Sequence, residues 1–258
     1  MDTTKELQLL SFCTGYGGIE RGLELAGVSF RTITHVEIEA FTIANLVEKM
    51  EEGRMVSAPI WTNVKTLPLE VFRDRVDILT GGYPCQPFSA AGQRKGAEDP
   101  RHLWPHILRT IDVIRPRRVF FENVEGHISL GLQEVIESLE IRGYKTAWGI
   151  FSASEVGAPH RRKRVFIMAH TSSERLQGHR RLEQEQVSQG WQRENGHTWP
   201  SRPGQKQHEW EEPRTVKSEL GGAVDGTRNR VDRLRLLGNG VVPQTAALAW
   251  ITLNERLI

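Results

Sequence analysis

The chain has 258 residues, of which 38% are hydrophobic and 26% are charged, and its formal net charge is +2. This length can bury a core for one large domain and a smaller one. No apolar run approaches the roughly 20 residues that span a bilayer, and the first residues do not form a secretory signal. Two cysteines exclude a disulfide framework and a four-cysteine metal site. We therefore expect a cytoplasmic protein that is not bound to a membrane.

The first 115 residues alternate apolar runs with helical patterns. Residues 7–12 predict a buried strand that runs into a glycine-rich turn. A helix follows from Gly18, where apolar residues recur at helical spacing until Gly27. The pattern then repeats with strands at 31–37 and 76–80 and helices at 41–50 and 103–114.

The same alternation continues after Pro116. Strands are predicted at 118–121, 146–151 and 164–169, and a helix at 132–142. Apolar periodicity returns at 231–237, and residues 245–253 predict a closing helix. Strands alternating with helices of this length predict an α/β fold, with a Rossmann-like, doubly wound and mostly parallel sheet.

The composition changes after His170. Residues 171–226 are rich in Gln, Arg, Glu and Gly, contain three tryptophans and have few aliphatic side chains. Between residues 158 and 235 there are 16 Lys and Arg against 10 Asp and Glu, which suits binding to a polyanion. We predict a small irregular recognition domain at 171–226, inserted into a larger domain formed by 1–170 and 227–258.

The first glycine-rich turn has the features of a nucleoside-binding turn. Gly15, Gly17 and Gly18 lie between a strand and a helix, where backbone amides are free to approach a ligand. Glu37 follows at the end of the next predicted strand, where an acid binds ribose hydroxyls in nucleotide sites. The Gly-x-Gly-Gly spacing differs from the dinucleotide pattern Gly-x-Gly-x-x-Gly, which disfavours a nicotinamide or flavin site.

Two further strand ends carry reactive side chains. Cys85 follows a buried strand through Gly81 and Gly82 and is preceded by Pro84, a setting that favours a stiff, presented loop. Glu122 stands at the end of another predicted strand. In a doubly wound sheet this edge carries the ligand crevice, so we expect both side chains to face it.

Together these motifs resemble those of the cytosine-C5 DNA methyltransferase family, in the family's order. The glycine-rich turn and Glu37 are similar to its cofactor motifs, Pro84-Cys85-Gln86 to its nucleophile motif and Glu122-Asn123-Val124 to its catalytic glutamate motif. The segment 160–164 resembles the family's Gln-x-Arg-x-Arg, and 238–243 resembles its closing Gly-Asn-Ser/Ala-Val motif.

The resemblance implies a class I methyltransferase that uses S-adenosyl-L-methionine and acts on a flipped cytosine in double-stranded DNA. It implies that Cys85 adds to carbon 6 of the base, which makes carbon 5 nucleophilic, and that Glu122 binds N3 and the exocyclic amine. Arg162 or Arg164 would hold the base or the thiolate, and Asn123 would brace the loop of Cys85.

The resemblance also implies cofactor contacts at Pro84, Asn239 and Val241. This chain departs from the family at three places: Cys13 replaces a phenylalanine, His160 replaces the glutamine of the arginine motif, and an acid expected near Asn63 is absent. We expect Asn63 to replace that acid in the contact with the adenine amine of the cofactor. We expect no metal, because no metal-ligand spacing occurs in the sequence.

Two alternatives remain open at this point. One is an RNA cytosine-C5 methyltransferase of the tRNA type, although no cysteine occurs after Cys85 to form that group's Cys-Phe-Thr signature. The other is a catalytically inactive DNA-binding relative. The sequence predicts a monomer, and its role is open between restriction–modification with a cognate endonuclease, protection of phage DNA and solitary regulation.

Overall fold

A computed structural model describes residues 6–84, 103–171, 206 and 230–257 of the chain. Its core is one seven-stranded sheet with the strand order β3-β2-β1-β4-β5-β7-β6. All strand pairs from β3 to β5 are parallel, while β7 runs antiparallel to both β5 and β6. The sheet is therefore mostly parallel, as the sequence predicts.

The helices and strands follow one another in the predicted alternation. In chain order the elements are β1 Leu7–Phe12, α1 Gly18–Leu25, β2 Phe30–Val36, α2 Ala40–Glu51, β3 Ile60–Trp61, β4 Ile78–Gly81, α3 Trp104–Ile114, β5 Arg118–Val124, α4 His127–Leu130, α5 Leu132–Ile141, β6 Tyr144–Ser152, β7 Lys163–Thr171, α6 Arg230–Asn239 and α7 Pro243–Leu257. The short strand β3 and the one-turn helix α4 carry too few residues to show a period, and the sequence does not predict them.

Helices cover both faces of the sheet. On one face, α3 and α5 pack on alternate residues of the strands in a cluster that includes Leu10, Phe121 and Ile167. On the other face, α1 and α7 pack on the residues between them, including Phe120 and Phe166. This double cover explains why the central strands are apolar on both faces.

The last helix belongs to this core. α7 packs against α1, β6 and β7, and the ring of its Trp250 meets Phe120 edge-on at 5.1 Å. The stretch Leu236–Leu257 is long and apolar enough to cross a membrane by length and composition alone. Its larger part is α7, whose buried residues face the sheet and α1, so this helix has the packing of a core helix.

The predicted recognition region lies outside the described residues apart from Thr171 and Lys206, and the loop that carries Cys85 is described only as far as Pro84. The division into domains at 170 and 227 therefore stays a prediction. The described part shows that the segment after residue 229 returns to the same core as residues 6–171.

Candidate active site

A cleft of about 360 Å³ opens at the edge of the sheet where the parallel strands end. Its walls come from the ends of β1, β2, β4 and β5, from the start of α2 and from α6. The described residues that line it are Cys13, Gly15, Glu37, Ile38, Glu39, Phe41, Thr42, Gly82, Tyr83, Pro84, Leu103, Glu122, Asn123, Val124, Arg164, Asp232, Leu236, Gly238 and Asn239.

The turn after β1 brings a backbone amide to Glu37. Gly15 and Gly17 have φ angles of 60° and 83°, which L side chains rarely adopt, so the backbone favours glycine at both positions. The amide of Gly15 donates to Glu37 Oε2 at 3.0 Å. Gly17 caps the N-terminus of α1 and lies outside the lining of the cleft.

Glu37 comes directly after β2, and three backbone amides fix its carboxylate. Besides Gly15, the amides of Ile38 and Glu39 donate to Oε1 at 2.8 and 3.0 Å. These hydrogen bonds from amides hold the carboxylate in one orientation. A fixed carboxylate at the wall of a cleft can accept two hydrogen bonds from vicinal hydroxyl groups, as found on a ribose.

Glu122 is buried near the end of β5, with 5% of its surface exposed. Burial raises the pKa of this carboxyl to about 7, although Arg164 and, more weakly, Arg162 act to lower it. Arg164 Nε lies 2.8 Å from Oε1 as an ion pair, yet no described residue donates a well-directed hydrogen bond to Oε1. The carboxyl can therefore hold or release a proton near neutral pH and retains capacity for a ligand.

The pairing of β5 with β7 explains this contact. Glu122 is opposite Phe166, and Arg164 is opposite Val124. Glu122 and Arg164 are therefore diagonal neighbours on one face of the antiparallel pair, a distance that a long side chain can cross.

Arg162 has a different environment from Arg164. Its Nη2 donates to the carbonyl oxygen of Gly238 at 2.7 Å and also to that of Gly240. Burial lowers the pKa of Arg162, with Arg164 contributing in the same direction. Arg162 thus holds the end of α6 and the loop after it, whereas Arg164 lines the cleft beside Glu122.

Asn123 fixes the chain just before Cys85. Its Nδ2 donates to the carbonyl oxygen of Tyr83 at 3.1 Å, and its Oδ1 accepts from the amide of Val124 at 2.9 Å. The Tyr83 ring is itself packed against Trp104, Phe121 and His127.

Pro84 lines the cleft as the last described residue of this loop, and Cys85 follows it outside the described part. Cys13, the other cysteine, also lines the cleft. Burial, with the Glu37 charge, raises the pKa of the Cys13 thiol to about 12. Cys13 therefore stays a thiol at neutral pH, which leaves Cys85 as the candidate nucleophile.

The C-terminal end of α6 completes the cleft. Gly238 and Asn239 line it, while Val241 is buried behind it and accepts a hydrogen bond from the Tyr16 hydroxyl. A Cβ at Gly18 would lie 2.3 Å from the carbonyl oxygen of Val241. The predicted cofactor residues Gly18 and Val241 therefore contact each other, and their contact with a ligand stays a prediction.

Asn63 lies outside the lining of the cleft. Its Oδ1 accepts from the amide of Lys65 at 3.0 Å and caps the short 3-10 helix Val64–Thr66. The structure thus gives Asn63 a local capping role, and a cofactor contact stays an untested prediction.

Several apolar lining residues were not predicted from the sequence. Ile38 is 69% exposed at the cleft, which is unusual for isoleucine, and Phe41 lies near it. Leu103 and Leu236 add apolar surface from α3 and α6. The position of Ile38 directly after Glu37 was the available signal, whereas the other three depend on how the helices pack.

This donor set fits a nucleoside-type cofactor. A fixed carboxylate suits the ribose hydroxyls, and the exposed apolar side chains suit the face of a base. Glu122 and Arg164 form a second group of polar side chains in the same cleft. The described residues contain no group of three or more His, Cys, Asp and Glu side chains that could hold a metal ion.

Fold and cleft together define a class of protein, the α/β methyltransferases. A family model for the C-5 cytosine-specific DNA methylases matches residues 7–245. The chain belongs to this family.

Among similar sequences, the Type II methyltransferase M.NaeI of Lentzea aerocolonigenes is 32% identical over 169 residues, which are 64% of this chain and 40% of that protein. The Type II methyltransferase M.NgoMIV of Neisseria gonorrhoeae is 31% identical over 62% of this chain and 50% of that protein. The chain thus spans half or less of the length of these relatives.

Solved structures share the fold. The Dnmt2 methyltransferase of S. pombe covers 66% of this chain with a TM-score of 0.55 and 24% identity, over 52% of its own length. The Entamoeba histolytica methyltransferase EhMeth covers 66% with a TM-score of 0.54 and 20% identity, over 54% of its own length. At these identities the likeness concerns the fold.

Proposed function

We propose that this protein is a DNA (cytosine-5-)-methyltransferase that transfers a methyl group from S-adenosylmethionine to carbon 5 of a cytosine flipped out of duplex DNA. The observation that carries the proposal is the buried Glu122 carboxyl, with a pKa of about 7 and paired with Arg164. It shares one cleft with the fixed Glu37 carboxylate and with the loop that leads into Cys85.

Glu37 would bind the ribose hydroxyls, and the apolar surface of Ile38 and Phe41 would contact the adenine. The cofactor, when bound, supplies an electrophilic methyl group. Because Gly15, Gly82 and Glu122 line the same cleft, a base bound at Glu122 shares one space with a cofactor bound at Glu37.

The Cys85 thiolate would form a bond to carbon 6 of the cytosine, and the ring electrons would move onto carbon 5 and N3. The protonated Glu122 carboxyl would hydrogen-bond at N3 and offset the charge that develops there. Carbon 5 would then accept the methyl group, and the sulfur that carried it would leave as a neutral thioether. Loss of the carbon 5 proton to a base restores the double bond and expels the Cys85 thiolate.

Arg164 would steady the base or the Glu122 carboxyl, since its guanidinium lies in the cleft. Arg162 would act indirectly, by holding the end of α6 that carries Asn239. Asn123 would fix the start of the nucleophile loop through the carbonyl of Tyr83. These roles agree with the contacts that each side chain makes.

Sequence recognition would reside in residues 171–226, whose excess of arginine and glutamine suits contacts with phosphates and base edges. Residues 1–170 and 227–258 would form the catalytic domain. We propose duplex DNA as the substrate, a monomer as the active form and a restriction–modification setting. The relatives' names, Type II methyltransferases, support that setting.

The test is a transfer assay with S-adenosylmethionine labelled in the methyl group, mixed-sequence duplex DNA, an RNA substrate and a Cys85→Ser variant. The expected result is label in 5-methylcytosine from DNA and none with the variant. Label in RNA alone would contradict the DNA assignment and support the tRNA-type alternative. Cofactor binding without transfer to DNA or RNA of varied sequence would support an inactive DNA-binding relative.

A further inference from the structure

Tyr16 stands in the middle of the cofactor turn, between Gly15 and Gly17, and is tied down from two sides. Its hydroxyl donates to the carbonyl oxygen of Val241, in the loop after α6. From α2, Lys49 Nζ donates to the carbonyl oxygen of Tyr16 at 2.6 Å and lies 5.0 Å from the centre of the Tyr16 ring. These contacts hold the ring between the turn and the loop.

This ring occupies the space next to Gly240. A Cβ added to Gly240 would lie 1.8 Å from Tyr16 Cε1 and 2.5 Å from Cδ1, far closer than any side chain tolerates. The φ angle of Gly240 is not in the positive region, so its backbone conformation does not require glycine. Glycine is required at position 240 because the Tyr16 ring occupies the space that a side chain would need. The Tyr16 ring also explains a departure from the motif Gly-Asn-Ser/Ala-Val, which has serine or alanine where this chain has Gly240.

The end of α6, next to the loop so fixed, lines the cleft. Asn239, next to Gly240, is one of its lining residues. From the other side, Arg162 donates to the carbonyl oxygens of Gly238 and Gly240. Tyr16 and Arg162 thus hold the same segment, and the Tyr16 hydroxyl connects it to the turn that carries Gly15.

We propose that Tyr16 is a positioning residue that couples the cofactor turn to the segment 238–241, and that Gly240 is glycine because it leaves space for the Tyr16 ring. The pair sets the shape of the cofactor end of the cleft without touching the reacting atoms. The inference rests on the proposed function for its effect on S-adenosylmethionine binding. Its effect on the folded state is independent of that function.

The test is a double-mutant cycle with Tyr16→Ala and Gly240→Ala, measured as affinity for S-adenosylmethionine by calorimetry and as unfolding temperature without cofactor. Gly240→Ala alone should weaken binding about tenfold, because the ring and the new methyl group cannot share one space. In the Tyr16→Ala background the same change should cost less than about twofold. Equal losses in both backgrounds, or none in the first, would overturn the proposal.

Tyr16→Phe isolates the hydroxyl and has a matched control. The Tyr144 hydroxyl also donates to a backbone carbonyl, that of Pro116 at 2.6 Å, at the opposite edge of the sheet from the cleft. Tyr16→Phe should raise KM for S-adenosylmethionine about fivefold with little change in kcat. Tyr144→Phe should leave KM unchanged. A parallel change of KM in both variants would mean a purely structural role and would contradict the proposal.

The two readouts separate this inference from the proposed function. A wild-type protein that binds no S-adenosylmethionine would contradict the proposed function. The unfolding temperatures of the four proteins in the cycle would still report whether Gly240→Ala is tolerated only without the Tyr16 ring. Additive unfolding temperatures would contradict the coupling itself.

Discussion

Two glutamates near the same edge of the sheet are equally buried but have different partners. Glu20 on α1 is 4% exposed and Glu122 on β5 is 5% exposed. Glu122 faces the cleft and forms an ion pair with Arg164 at 2.8 Å. Glu20 accepts one hydrogen bond from Thr80 at 3.0 Å, and its other oxygen has no hydrogen-bond partner among the described residues.

Burial raises the pKa of both carboxyls, so a raised pKa does not by itself identify the acid used in the reaction. The distinguishing features are a guanidinium at contact distance and a cavity shared with the predicted cofactor and nucleophile residues. Glu20 lines a different, smaller cavity behind the cofactor turn, beside Tyr16 and His35. The comparison therefore supports the catalytic role proposed for Glu122, and we expect changes at Glu20 to act on stability.

The largest expected effect is that of Glu122→Gln. Gln cannot supply a proton at N3, so kcat should fall about 10²- to 10⁴-fold, the usual contribution of a general acid. Glu20→Gln is the matched control, an equally buried glutamate outside the cleft, and its kcat should stay within about twofold of wild type. Methyl-transfer rates under single-turnover conditions give the comparison. Similar losses of kcat in Glu122→Gln and Glu20→Gln would contradict the distinction between the two glutamates.

The second effect concerns the smaller cavity and is measured as stability in acid. His35 is fully buried, neither ring nitrogen has a hydrogen-bond partner among the described residues, and burial lowers its pKa to about 4. The unfolded chain takes up this proton near pH 6.5 and the folded protein only near pH 4, so stability is lost as the pH falls through this window. The loss is at most about 3 kcal/mol.

Urea titrations of wild type and His35→Gln between pH 7 and pH 4 measure this contribution. His127, whose pKa is also lowered to about 4 by burial, titrates in the same window and remains in the variant. The slope of stability against pH should therefore decrease in His35→Gln without vanishing. An unchanged slope would show that His35 is not held neutral in the fold.

The third effect is on the pH profile. Arg164 lowers the Glu122 pKa, so Arg164→Gln should raise it above 7. If activity needs the protonated carboxyl, the decline of kcat/KM at high pH moves to a higher pH, and the maximum falls about tenfold from the lost contact. Arg161→Gln, an exposed arginine in the same segment, should keep the wild-type profile. A decline that stays in place with Arg164→Gln would contradict the pairing.

The smallest effect is on the free energy of unfolding at pH 8. The Glu20 pKa is raised in the folded state, so the folded protein binds its proton more tightly, and stability falls as the pH rises above the unfolded value. Glu20→Gln should remove this loss and stabilise the protein by about 1 kcal/mol at pH 8. Glu125→Gln, which breaks an exposed ion pair with Lys163, should change stability by less than about 0.5 kcal/mol.

Much of the fold could be predicted from periodicity. The bounds of β1, α2, α3 and α7 differ from the predicted ones by a few residues at most, because each pattern is long and uninterrupted. The parallel sheet predicted that Glu122 and the loop of Cys85 would face one edge, and Glu122 and Pro84 do line one cleft. Glu122 lies within β5 rather than after it, because the strand continues to Val124.

Tertiary pairing determined the remainder of the site. The insertion of β7 between β5 and β6 places Arg164 diagonal to Glu122, and no local pattern encodes that register. Arg162 and Arg164 are two residues apart but have different contacts. Arg162 binds the carbonyl oxygen of Gly238, whereas Arg164 forms an ion pair with Glu122. The same applies to Gly240, whose glycine is explained only by a ring 224 positions earlier in the chain.

The most direct test of the central claim is to trap the bond between Cys85 and the base. Duplex DNA carrying 5-fluorocytosine replaces the proton that must leave carbon 5 by fluorine, which cannot leave as a cation, so the thiol remains attached after methyl transfer. With S-adenosylmethionine present, we predict a DNA–protein adduct that survives denaturing electrophoresis, maps to Cys85 and is absent from Cys85→Ser. Methylation of ordinary DNA without such an adduct, or an adduct at Cys13, would contradict the account.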